Sequence, residues 1–237
     1  MRVMTALAAV LLLATGAANA QVTGTITAVS DYDFRGITQT ALSPALQGSL
    51  DYAHSSGWYV GAWASNVDFG NCCGEDLEID YYTGFAGATD GGIGWDVGLI
   101  DYTYPGTNVS IDFMEAYGSI SYKMFKGKFW YADDFANSNQ SAYYIEGNFN
   151  IPLPNEFGLT LHAGQSDGDF WGSDSYFDYA VGVTRSLGHF NMALKWIDGS
   201  NLKALDGTPG DVSTSESKVV LSIATTFPWG PPPAPAP

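Results

Sequence analysis

Apolar side chains recur at every second position in segment after segment of this chain, and the connections between segments alternate between short and long. Leu77, Ile79, Tyr81 and Phe85 share one parity, against Glu78, Asp80, Tyr82 and Gly84. Trp95, Val97 and Leu99 oppose Gly94, Asp96 and Gly98, and Val181 and Val183 oppose Ala180, Gly182 and Thr184. Val219, Leu221, Ile223 and Phe227 oppose Lys218, Ser222 and Thr226. A period of two puts the two sets on opposite faces of a β-strand, and helical periodicity is nearly absent after residue 20.

The pattern predicts about twelve strands, near 23–34, 44–54, 58–68, 77–88, 93–104, 111–121, 124–134, 140–150, 157–166, 174–187, 190–198 and 215–227. The segment 111–121 is the least clean, because Phe113, Glu115 and Tyr117 share a face. Short connections fall at 55–57, 90–92, 122–123, 151–156 and 188–189. Longer polar ones fall at 36–43, 69–76, 105–110, 135–139, 167–173 and 198–214. Short turns alternating with long loops on an even number of strands are the layout of an all-β, antiparallel, up-and-down transmembrane barrel. Closure also removes the exposed sheet edges that template aggregation. The soluble competitors are a β-sandwich and a lipocalin-like barrel. Against them stand the Gly, Ala, Ser and Thr of the non-apolar face, which suit a lumen. Aromatic residues also gather at strand ends (Tyr32, Phe34, Trp58, Tyr59, Tyr102, Tyr104, Phe129, Tyr131, Trp196), where interfacial girdles lie.

Residues 1–20 read as a secretory leader: Arg2 is its basic start, 6–14 its apolar stretch and Ala18-Asn19-Ala20 its cleavage site. The barrel is then expected over 21–227, followed by a proline-rich periplasmic tail at 228–237 that cannot pair in a sheet. The net charge of -16 has the wrong sign for a nucleic-acid binder, which must neutralise phosphates. The only cysteines, Cys72 and Cys73, are adjacent. Their spacing fits a strained vicinal disulfide or two incidental thiols better than a metal site.

Ser30-Asp31-Tyr32-Asp33-Phe34-Arg35-Gly36-Ile37-Thr38-Gln39 resembles the opening signature of the proteobacterial TorF-type porin family. The likeness continues at Pro44-Ala45-Leu46-Gln47-Gly48 and across Gly57 to Val67. It resumes at Asp101-Tyr102-Thr103-Tyr104-Pro105-Gly106 and Glu115-Ala116-Tyr117. The resemblance implies an outer-membrane pore, with no established substrate and no catalytic residue to carry over.

Read from the alternation, Asp51, Glu78, Asp80, Asp96, Glu146 and Asp178 face the lumen, with Lys126, Lys128, Lys195 and Lys218. They are the candidate selectivity residues, and bracing the wall is their structural alternative. Arg35 stands beside Asp31 and Asp33 at the mouth end of the first strand. It is either a clamp that pairs with lumen carboxylates and fixes the first loop inside the mouth, or an interfacial cation facing headgroups. His162 has Ser166 nearby on the inward face, but no nucleophile elbow or barrel-phospholipase motif accompanies it. Asp167, Asp169 and Asp174 lack calcium-loop spacing.

The sequence therefore predicts an exported outer-membrane channel for passive diffusion of small solutes, favouring cations and neutral solutes, without catalytic residue, cofactor or metal. The alternatives are a closed structural or adhesion barrel and a barrel lipid hydrolase. The expected partners are outer-membrane lipid, small solutes and the barrel-assembly machinery, the last through the terminal strand ending at Phe227. About twelve strands leave a lumen that is open, narrow or plugged.

Overall fold

The computed structural model describes residues 21–70, 74, 76–200 and 216–229. The expected leader at 1–20, Cys72, Cys73 and the expected tail from residue 230 lie outside the described residues. The chain runs through β1 (Gln21–Val29), β2 (Asp33–Phe34), β3 (Ile37–Thr38), β4 (Ala45–Ala53), β5 (Trp58–Asn66), β6 (Leu77–Ala88) and β7 (Gly94–Thr103). It continues through β8 (Phe113–Tyr122), β9 (Phe125–Ala132), β10 (Ala142–Pro152), β11 (Phe157–Asp167), β12 (Tyr176–Leu187), β13 (Phe190–Ser200) and β14 (Lys218–Phe227). Twelve of these form a closed antiparallel barrel in which each strand pairs with its neighbours in the chain and β1 closes on β14. The remaining two, β2 and β3, form a small separate hairpin.

The register keeps one parity inside around the wall. Thr25 pairs with Ser49, Ser49 with Trp63, Trp63 with Asp80, Asp80 with Tyr102 and Tyr102 with Phe113. On the opposite parity Leu50, Val97, Ile120, Ile145, Val181, Leu194 and Val219 are exposed. A continuous apolar belt of this kind exceeds by far what a monomer in water tolerates, and it makes the outer wall a lipid-facing surface. Among the described residues, the charged side chains on the outward parity of the strands are Asp101, Asp167, Arg185 and Asp198. All lie within three residues of a strand end, where the penalty for a charge falls towards zero.

The first strand departs from expectation. It ends at Val29 rather than running to residue 34. Phe34-Arg35-Gly36-Ile37 instead closes the β2–β3 hairpin, with φ of 53° at Arg35 and 85° at Gly36. Positive φ at both central residues is a type I′ turn, whose twist matches a tight hairpin, and glycine meets that demand at no steric cost. Residues 30–44 therefore form a tongue that folds back into the barrel.

The aromatic girdle also needs correction. Phe129, Tyr131 and Trp196 are exposed on the lipid side as expected. Tyr59, Tyr102 and Tyr104 are buried, and Tyr32 and Phe34 belong to the tongue. A twelve-stranded lumen has room that rings can fill.

Candidate pore and the tongue that crosses it

The tongue leaves β1, and its tip carries Arg35 across the lumen to the far wall. There the guanidinium donates to both Glu115 oxygens, at 2.9 and 2.7 Å. The Arg35 side chain is 9% exposed and that of Glu115 0%. The rings of Phe34, Tyr144 and Trp130 surround the guanidinium, with centroids 4.6, 4.5 and 5.4 Å away. Burial works against the charge on Arg35, but the Glu115 carboxylate, its hydrogen bonds and the neighbouring Tyr102 and Tyr176 together raise the pKa. The planar fork, the bidentate partner and the ring faces suit arginine and not lysine.

A second anchor ties the tongue to the start of β14. The Lys218 ammonium lies 3.3 Å from Asp31 and 2.8 Å from Asp33, and it donates to the Gly36 carbonyl at 3.3 Å. Asp31 also accepts from Thr38 and Thr40. Gly36 sits directly on Asp178, for a Cβ there would lie 2.8 Å from the Asp178 Cβ.

Hydroxyl-to-carboxylate bonds complete the collar. Tyr32 donates to Glu78 at 2.9 Å, and Tyr102 donates to Glu115 at 3.0 Å. Burial first, and then the Glu78 charge, push the phenols of Tyr32 and Tyr104 up, so both remain donors. Tyr144 donates to Asp178 at 2.9 Å, and His162 Nε2 lies 2.6 Å from the same carboxylate. Here the lumen is filled: Ser65, Glu78, Tyr102, Glu115, Tyr144 and Tyr176 are 0 to 4% exposed.

The turn-side half is wetter, and its inward residues Asp51, Asp96, Lys126, Lys128, Glu146, His162 and Lys195 are all half-buried. Tyr59 donates to Asp96 at 2.6 Å and also bonds the Tyr117 hydroxyl, while Tyr82 bonds Asp51. These rings lie flat on the wall over glycines of the adjacent strand. A Cβ at Gly61 would meet the Tyr82 ring at 2.5 Å, and one at Gly98 would meet the Tyr117 hydroxyl at 2.5 Å. Lys128 lies 3.8 Å from the Tyr117 ring centroid and 3.6 Å from that of Trp130.

The register places all ten residues expected in the lumen on the inward parity, but it divides them. Glu78, Asp80, Asp178 and Lys218 lie in the collar with the tongue. Asp51, Asp96 and Glu146 share the wetter half with Lys126, Lys128 and Lys195. Sequence reasoning missed Glu115, the partner of Arg35. The signal was available, because Met114, Ala116, Gly118 and Ile120 form the outward set and leave Glu115 on the face of Ser119 and Ser121. Arg35 occupies the clamp position, and the lumen carboxylate it pairs with is Glu115 on the opposite wall. His162 has its ring nitrogens against Asp178, Tyr144 and Asn148. Ser166, four residues further along, is buried on the same strand.

Among solved structures the barrel is similar to a KdgM porin, with a TM-score of 0.55 and 5% identity over 88% of this chain and 99% of that one. A KdgM porin in complex with disordered oligogalacturonate gives 0.54 at 5% identity, over 90% and 100% of the two chains. A NanC porin gives 0.52 at 8% identity, over 86% and 98%. At these identities the likeness is one of fold. No curated protein sequence matches the chain. The sequence matches, over residues 13–227, the family model described as a bacterial protein of unknown function, Gcw_chp, and the chain belongs to that family.

Proposed function

We propose that this protein is a porin-like channel of the outer membrane, passing small solutes and favouring cations and neutral solutes over anions. The observation that carries the reading is the two-sided wall: an unbroken apolar exterior encloses an inward face on which charged side chains remain accessible to water. The porin folds it resembles, and the likeness of 30–39 to the TorF-type signature, support the same reading. Cation preference is supported by the loop side of the barrel. Its described connections carry Asp68, Asp76, Asp112, Asp133, Asp134 and Asp169, while their single Lys or Arg, Arg35, is buried in its ion pair. A field of one sign between low-dielectric walls raises the local concentration of counter-ions.

Reversal potentials across a salt gradient in planar bilayers test this. Cation preference that weakens at high salt is expected, and anion preference overturns it. The second reading is a closed structural barrel, favoured by the tongue buried across the lumen. Conductance that never appears from a demonstrably folded barrel decides for that reading.

A further inference from the structure

We infer that the hairpin tongue is a gate, and that its opening uncovers wall carboxylates which make the open constriction select cations. This rests on the channel reading above. The tongue's backbone bonds are mostly its own: β2 pairs with β3, Gln39 N donates to Tyr32 O at 2.7 Å, and Ser43 N donates to Thr40 O at 2.8 Å. Among the described residues, its backbone-to-backbone bonds to the rest of the molecule are Ser30 N to Leu221 O at 2.9 Å and Asp68 N to Gln39 O at 2.8 Å. Both sit at its base. The hairpin can therefore swing as a unit without breaking the barrel ladder.

The contacts that hold it in the lumen are side-chain contacts: the ion pairs of Arg35 with Glu115 and of Asp31 and Asp33 with Lys218, and ring contacts to Trp63 and Tyr102. Buried ion pairs contribute little net stability, because the separated charges recover their hydration. Closed and open states thus differ by less than the number of contacts suggests. The tongue's apolar contacts come from Tyr32 and Phe34, packed against the lumenal ring cluster, and from Ile37 against Tyr176; the rest of residues 30–39 are polar, charged or glycine.

The closed tongue covers wall carboxylates and pairs one of them with a cation. Glu115 faces Arg35, Glu78 accepts from Tyr32, and Asp178 lies under Gly36. Asp80, next along β6 on the same face, is 5% exposed, and its Oδ1 has no hydrogen-bond partner. When the tongue moves, Arg35 leaves with it. Glu78, Asp80, Glu115 and Asp178 then line the passage, with Lys218, His162 and Lys128 as the wall's nearby basic groups. Carboxylate rings of this kind select cations.

The test compares the wild-type chain with a variant in which residues 32–39 are replaced by a Gly-Ser stretch of equal length, both checked for heat-modifiable gel migration as folded barrels. Brief or low-conductance openings are expected from the wild type, continuous and larger ones from the variant, and more frequent openings from Arg35→Ala. In the tongue-replaced background, Glu78→Gln with Glu115→Gln should lower the cation-to-anion permeability ratio about threefold or more. Steady conductance that is equal in wild type and variant overturns the gate and leaves the channel standing. An unchanged ratio in the double substitution overturns the role of the carboxylates. If neither barrel conducts, the channel reading and the gate fall together.

Discussion

Arg35 and Glu115 meet across the width of the lumen, one on a two-residue hairpin turn and the other on β8, joined by parallel bonds of 2.9 and 2.7 Å. Twelve strands give a cavity too wide for wall side chains alone to close, so a segment of the chain fills its loop side. The stretches whose sequence resembles the TorF-type signature converge here: 30–39 lies in the tongue, while Trp63, Tyr102 and Glu115 belong to the wall it touches.

Removing one partner of this pair should therefore be costly. Arg35→Ala leaves a carboxylate without its cation, for which buried pairs lose ~3–5 kcal/mol. A loss below that range is expected, because the tongue can lift and return Glu115 to water. Arg35→Lys keeps the charge but loses the fork, and should fall between the two. Arg35→Met combined with Glu115→Leu should recover most of the loss. Denaturant unfolding in vesicles measures all three, and an Arg35→Ala barrel as stable as the wild type would mean the tip is not anchored.

The two faces of the wall should respond oppositely to the same new charge. Val181 is exposed at the middle of β12, on the lipid side, so Val181→Arg should cost about 2–4 kcal/mol. Thr160 lies inside, half-buried in the wetter part of the lumen, so Thr160→Arg should be close to neutral. Folding equilibria into vesicles decide this. A larger loss from Thr160→Arg would invert the assignment of inside and outside.

The tyrosine rings laid over glycines predict a packing effect. In Gly98→Ala the new Cβ would meet the Tyr117 hydroxyl at 2.5 Å and the Thr83 carbonyl at 2.6 Å. The carbonyl cannot move far, so overpacking should cost about 1–3 kcal/mol. Tyr117→Leu in the same chain removes only the hydroxyl clash, and partial rescue is expected. Full rescue would show that the backbone contact is of no consequence.

The barrel was legible because lipid outside and water inside impose a strict period of two, and a slip of one residue would exchange the faces. β6 occupies 77–88 as the alternation predicts. The tongue was not legible for the same reason. Tyr32 and Phe34 continue the alternation beyond Val29 and so read as more strand. Their rings instead find Trp63 and Tyr102, at centroid distances of 5.3 and 5.9 Å. Periodicity reports that a side chain is apolar at every second position, but not whether its partner is lipid or another ring. Glu115 was obscured similarly, since Phe113 and Tyr117 beside it look lipid-facing and are lumenal.

The last strand carries a prediction about assembly. The sequence alone treats everything after Phe227 as a free tail, but Trp229 packs back on the rim. Its ring stacks on Phe227 at 4.9 Å and on His189 at 5.1 Å, and its Nε1 donates to Thr225 at 2.9 Å. The terminal aromatic is thus part of a three-ring cluster that joins the end of β14 to the turn before β13. Deleting residues 230–237 should leave membrane levels near those of the wild type, since no part of that cluster is lost. Trp229→Ala should lower stability by about 0.5–1.5 kcal/mol, the value of an aromatic contact beyond its buried area. Phe227→Ala removes both a ring of the cluster and the outward side chain that ends the strand, the feature proposed to engage the barrel-assembly machinery. It should reduce the folded, heat-modifiable fraction more than Trp229→Ala does. Quantifying that fraction in outer-membrane preparations of the three variants is the measurement. An equal loss from the deletion and from Phe227→Ala would assign the proline-rich segment to the fold itself.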